Sequence, residues 1–178
     1  MKYVFITLMI VLLSKISLSQ SSEKRLQYLN RIYIELNPSD SLRLMDKERA
    51  QFITQTNRLG TKTKSFFEIN GNSASLKINQ NSNFAFYIQV DNNNIDVSKT
   101  YLLFKLTNKK NVRQALWAYQ GLSKSKDDSY GLPTLVEKIK DGTFRIKSEK
   151  SLDKGEYAFI AYSFQAGENF DAFIFQIQ

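Results

Sequence analysis

The stretch from Tyr157 to Phe164 reads Tyr-Ala-Phe-Ile-Ala-Tyr-Ser-Phe and has no polar face. In an extended strand Tyr157, Phe159, Ala161 and Ser163 fall on one side, and Ala158, Ile160, Tyr162 and Phe164 on the other. A strand that is apolar on both sides belongs in the interior of a sheet with something packed on each face, so the earlier strands are expected to assemble around it. The residues just before it, Leu152-Asp153-Lys154-Gly155-Glu156, read as a tight turn. Asp can hydrogen-bond its own backbone there, and Gly accepts a positive φ without a Cβ clash.

The rest of the chain repeats the period-two pattern in short pieces. Residues 31–36 alternate, with Ile32, Ile34 and Leu36 opposite Arg31, Tyr33 and Glu35, although a helix from Leu26 also fits the spacing; the β-branched content favours the strand. Asn37-Pro38 marks a turn. Residues 41–57 predict a short strand at 41–45 and then an irregular or helical stretch. Two hairpins are expected: one at Asn70-Gly71, joining 65–69 to the alternating Ala74, Leu76 and Ile78, and one at Asp141-Gly142, joining 135–140 to 143–147. Further strands are expected at 84–90, 101–106, 112–119 and 170–177, with a turn at 108–111 and a long polar loop at 121–131. Eight to ten short strands with regular turn punctuation predict an all-β fold, a single antiparallel β-sandwich or partly closed barrel.

In front of this domain, residues 1–19 read as a signal peptide: Lys2, an apolar run from Val4 to Leu13, and small residues Ser17 and Ser19 before a cleavage point at Gln20. The run is about half the roughly 20 residues of a spanning helix, so no transmembrane span is expected. Residues 20–28 read as a polar tail and 29–178 as the β-sandwich domain. An exported location follows as the expectation, in the periplasm, at the cell surface or outside the cell. The chain has no cysteine, which excludes a lipid anchor on Cys, disulfides and thiolate chemistry. It also has no histidine, which removes the usual general base near neutral pH and the usual zinc ligand.

The formal charge is +8; without Lys2 and Lys15 of the leader, 23 basic side chains stand against 17 acidic ones. The positive charges do not form one tract, so nucleic acid is not an expected partner, while an envelope protein or an anionic glycan is. No cofactor and no metal are implied. The run Asp91-Asn92-Asn93-Asn94-Ile95-Asp96 opens like a calcium loop, but Asp96 stands where glycine is needed at the sixth position and Leu102 where the bidentate glutamate is needed, so it reads as a polar loop.

Phe84-Ala85-Phe86-Tyr87, 102–106 with Lys109, Lys110 and Arg113, Asp141-Gly142-Thr143-Phe144 and the Leu152-x-x-Gly155-Glu156-Tyr157-Ala158-Phe159 turn and strand together resemble a diffuse group of exported bacterial β-sandwich domains of unassigned function, with a leader like those of Bacteroidetes. The resemblance covers roughly 73–164. It implies the fold and carries no chemistry.

Three functional readings follow. The first is an exported, non-catalytic β-sandwich with a structural or partner-binding role at the cell envelope. The second is a small carbohydrate-binding module for anionic polysaccharide: Arg113, Trp117 and Tyr119 share a face by alternate counting and would make a sugar-stacking strip, with Tyr130 in the polar loop as a further aromatic. The competing reading places the sole tryptophan in the core. The third is a histidine-free glycan lyase or hydrolase using Asp127 with Asp128, or Glu156 with Glu168 and Asp171. Phosphate loops, dinucleotide glycines and nucleophile elbows are missing, which weighs against an enzyme.

Overall fold

The computed structural model describes residues 26–38, 41–92, 94–120, 131–161 and 169–178. The leader, most of the polar tail, the 121–130 loop with Tyr130, the end of the organising strand at 162–164 and the turn that follows it lie outside these residues. The described elements are β1 (Ile32–Glu35), β2 (Arg43–Leu44), β3 (Lys47–Thr56), β4 (Thr63–Asn70), β5 (Lys77–Ile78), β6 (Ala85–Gln89), the single-turn helix α1 (Val97–Thr100), β7 (Tyr101–Lys105), β8 (Thr107–Lys109), β9 (Val112–Gln120), β10 (Thr134–Lys140), β11 (Thr143–Ser148), β12 (Gly155–Ala161) and β13 (Asn169–Ile177). Ten of these strands have four residues or more, and β2, β5 and β8 are shorter additions.

The strands form two sheets. One has the order β10-β11-β6-β1-β2; the other runs β7-β12-β13-β3-β4-β9-β8, with β5 lying parallel to the end of β13. All other pairings are antiparallel. The larger sheet curls without closing: β7 and β8 stand at its two ends, yet only Leu106 separates them in sequence. The fold is therefore the expected all-β sandwich, with one layer rolled around a core of its own.

Two cores result, one on each face of β12 and β13. Tyr157 and Phe159 with Phe173, Phe175 and Ile177 face the five-stranded sheet and meet Ile32, Ile34, Phe86, Ile88 and Ile146. Phe86 lies 4.8 Å from Phe159 and 4.9 Å from Phe175, ring centre to ring centre. Ala158, Ile160, Ala172 and Ile174 face the other way, into the curl, with Ala50, Phe67, Ile69, Phe104 and Ala115. Large and small residues stand opposite each other in this second core: Ile160 with Ala172, Ala158 with Ile174 and Phe104, Phe67 with Ala115, Phe170 with Ala50. The alanines leave room for the strands to turn tightly while the rings fill the centre.

The turn before β12 is a locking device. Leu152 is buried in the first core, and the Tyr157 hydroxyl donates back to the Asp153 carbonyl at 2.8 Å, as in a tyrosine corner. Glu156 Oε1 accepts from the Ala74 amide at 2.8 Å and so ties the chain before β5 to the same turn.

The structure corrects three sequence expectations. Residues 47–56 are neither irregular nor helical but form the ten-residue strand β3. Asn70-Gly71 does not make a hairpin: β4 is already flanked by β3 and β9, Gly71 N donates to the Asn111 carbonyl, and the chain moves on to lay β5 beside β13. The turn expected at 108–111 is shorter, because Asn108 and Lys109 belong to β8 and pair with β9. The second expected hairpin is present as β10–β11, with a register shift at Lys138 and Lys140.

Gly142 closes that hairpin at φ +69, and a Cβ there would stand 2.6 Å from the Val90 carbonyl oxygen. Gly142→Ala is expected to cost about 1–3 kcal/mol in urea unfolding, from the left-handed backbone and the clash together; an unchanged midpoint would show that the turn relaxes freely.

Tyr101 sits in the first core, where burial pushes its phenol up to about 12, aided by the negative charges of Asp171 and Asp91. The ordinary value is near 10, so the fold favours the neutral ring. That contribution is complete below pH ~10 and is lost as pH rises through about 12. An alkaline absorbance titration is expected to show one tyrosine ionising only as the protein unfolds; full ionisation near pH 10 with an intact far-ultraviolet signal would contradict this.

Candidate functional site

The rolled sheet has two ends of different chemistry, and β9 connects them. Arg113 lies near its start, buried to 1% exposure, and its Nη2 donates to Glu48 Oε2 and to the Asn70 carbonyl, each at 2.6 Å. Glu156, 6% exposed, faces the curl near the same end. Arg113 Nε and Nη1 and Glu156 Oε2 are buried with no partner among the described residues. This end is a charged plug. A buried guanidinium requires such partners, because an unpaired charge away from water costs several kcal/mol.

Four residues further along β9, roughly 13 Å at strand spacing, is Trp117. Here the pairing with β4 shifts: Ser65 stands opposite Ala118 and Phe66 opposite Leu116, which leaves Trp117 as the extra residue of a bulge. Bulges bend a strand and re-aim a side chain, and they are common beside binding sites. The indole is half-buried. It packs edge-on to Phe67 at 5.6 Å and tilted to Phe104 at 6.1 Å, so the second core holds it from below.

Trp117 also lines an open cavity of about 300 Å³, together with Ser98, Leu102, Leu132, Pro133, Thr134 and Glu149. Its wall is braced by the Leu132 amide, which donates to the Leu103 carbonyl at 2.6 Å. The volume lies at the lower limit for small-molecule sites. A ring stacked against an indole, with hydroxyls and a carboxylate at the rim, suits a ligand with an apolar face and several hydroxyl groups.

The sequence-derived candidates separate accordingly. Trp117 lies neither deep in the core nor on an open strip; it lines a concave wall. Arg113 does not join it: on the same face but at the other end, the guanidinium is spent on Glu48 and Asn70. The register shift at Trp117 also ends the alternate counting that grouped Tyr119 with it. The side chain of Tyr119, and Tyr130 altogether, lie outside what the structure describes. Leu102, Leu132, Pro133 and Glu149 were missed. Only the bulge brings the tryptophan to them, and bulges leave no periodic signal.

The carboxylates proposed for catalysis do not converge where they are described. Glu156 faces the curl at the start of β12 and bonds Ala74; Asp171, opposite Ala161 at the far end of β12, pairs with Lys47 at 3.2 Å. Asp127, Asp128 and Glu168 lie outside the described residues. In the calcium-like run, Asp96 caps α1, accepting from Ser98 N at 3.1 Å and Ser98 Oγ at 2.6 Å. The bond from the Ser98 side chain, with help from Lys99, holds its carboxyl below the ordinary value against the opposing effect of desolvation. Among the described residues no group of three or more acidic side chains could hold a metal, and no helix is long and apolar enough to cross a membrane. No protein-family model, curated protein or solved structure matches the chain.

Glu48→Ala would leave Arg113 with the Asn70 carbonyl as its one partner. A loss of about 1–3 kcal/mol in urea unfolding is expected, with unchanged tryptophan emission, because Trp117 is at the other end. A simultaneous shift in emission would mean that the two ends are coupled.

Proposed function

We propose that this chain is an exported, non-catalytic β-sandwich that acts at the cell envelope by binding, and that the Trp117 cavity holds its ligand. The observation that carries this reading is the bulge in β9, which seats a half-buried indole on the wall of an open cavity instead of in the core. Export rests on the leader pattern of residues 1–19. The same observation favours a glycan over a protein partner: the site is concave and small, with one aromatic face and hydrogen-bonding groups on Ser98, Thr134 and Glu149. A protein interface of ordinary size needs a much larger area.

Trp117 is the only tryptophan, so emission excited selectively at the indole, beyond the absorption of the tyrosines, reports this site alone. Titration with a panel of oligosaccharides is expected to quench or shift the emission for at least one of them. Trp117→Ala is expected to weaken that binding tenfold or more by calorimetry, about 1.4 kcal/mol, while leaving the far-ultraviolet spectrum unchanged. If no glycan perturbs the emission, or the variant binds as tightly as the parent, the cavity is not the site.

A further inference from the structure

A second open cavity of about 270 Å³ lies beside the first, and Glu149 lines both. Its walls come from the loop before β6 and from the end of β11 with the segment leading to β12. Asn83 and Phe84 stand on one side, and Lys147, Ser148 and Lys150 on the other. The walls are braced by Gln80 Nε2, which donates to the Leu152 carbonyl at 3.4 Å, and by the Glu149 amide, which donates to the Pro133 carbonyl at 3.1 Å. The second of these bonds ties the strip between the cavities to the rim of the Trp117 cavity, because Pro133 lines it.

Lys62, Lys77, Lys109, Lys110 and Lys154 have no ion-pair partner among the described residues, while other surface cations do. Lys47, Lys99, Lys105, Lys138 and Arg145 each lie within ion-pair distance of a carboxylate. Lys147, Lys150 and Glu149 make no ion pair among the described residues, although all three line one cavity. Two exposed ammonium groups against one carboxylate leave the pocket net positive. An ammonium near the surface attracts an anion without the desolvation cost of a buried ion pair.

Resting on the reading of the Trp117 cavity as a glycan site, we infer that the second cavity is an anion subsite of the same groove, and that the ligand is an acidic oligosaccharide of at least two rings. One ring stacks on Trp117, Glu149 accepts hydroxyls between the two cavities, and Lys147 and Lys150 hold a carboxylate or sulfate on the neighbouring ring. The ammonium groups select for charge; the indole serves any sugar with an apolar face.

The test uses matched pairs of trisaccharides that differ only in C6: galactotriose and trigalacturonate, mannotriose and trimannuronate, cellotriose and its triglucuronate counterpart. Sulfated galactotriose covers the other anion. Titrated by calorimetry at low salt, at least one acidic member is expected to bind about tenfold or more tighter than its neutral partner, and the advantage is expected to shrink as salt screens the lysines. The exposed double variant Lys147→Ala with Lys150→Ala is expected to abolish that advantage and leave neutral binding unchanged. Trp117→Ala is expected to weaken both. Equal binding of neutral and acidic members, or a preference that survives in the double lysine variant, would overturn the anion subsite and leave the Trp117 site standing. Binding of no member of any pair would overturn both.

Discussion

The fold depends on β12 and β13 having no solvent-facing side. Each residue of β12 from Glu156 to Ile160 is buried, and the alternation that would separate core from water in an ordinary antiparallel sheet here separates two cores. Fully burying an aromatic or aliphatic side chain is worth about 1.5–3 kcal/mol. A strand that contributes to both cores therefore ties two layers together through one backbone. With no disulfide to staple the chain, this shared central pair is what makes the two sheets one unit.

The second core explains why the larger sheet curls. Its inward positions pair bulk with alanine across nearly every strand boundary, and Phe67 serves as the hub, touching the rings of Phe52, Phe104, Trp117 and Phe170. A curl has two ends, and each must be dealt with. One is closed by Arg113, Glu48 and Glu156. That solution is costly in desolvation and stable only while its partners are in place. At the other, among the described residues, Trp117 forms part of the wall of an open cavity. The charged plug and the aromatic cavity are thus two answers to one geometric problem, and among the described residues it is the second that lines an open cavity.

Much of this was legible in the residues, for identifiable reasons. The two-faced strand declared itself because Tyr157 to Phe164 has no polar alternation at all. The β10–β11 hairpin was legible because Asp141-Gly142 sits between two periodic runs. β3 was not: on its inward side Glu48 and Ala50 replace the large apolar residues that reveal a strand, one serving the Arg113 plug and the other making room in the curl. Asn70-Gly71 misled because a turn dipeptide reports a local reversal and not which neighbour the next segment will take. Edge availability decides that, and both edges of β4 were occupied. At the site, alternate counting correctly put Arg113 and Trp117 on one face. It could not show that this face of a rolled sheet carries a buried ion pair at one end and a cavity wall at the other, nor that a register shift falls between Leu116 and Ala118.

The bulge also bears on how rigid the site is. Trp117 is the extra residue of a strand whose neighbours on both sides stay in register with β4, and its ring is held by Phe67 and Phe104, both nearly inaccessible. A side chain fixed by the core loses little further freedom when a ligand stacks on it, so less of the interaction is offset by ordering. Lys147 and Lys150 are the opposite kind of group, exposed and long, and their attraction for an anion is screened by salt and offset by side-chain entropy. In the proposed complex the division of labour would follow from this difference: the indole would supply affinity because it is already in place, and the lysines would supply discrimination because only a charged ligand gives them a reason to be.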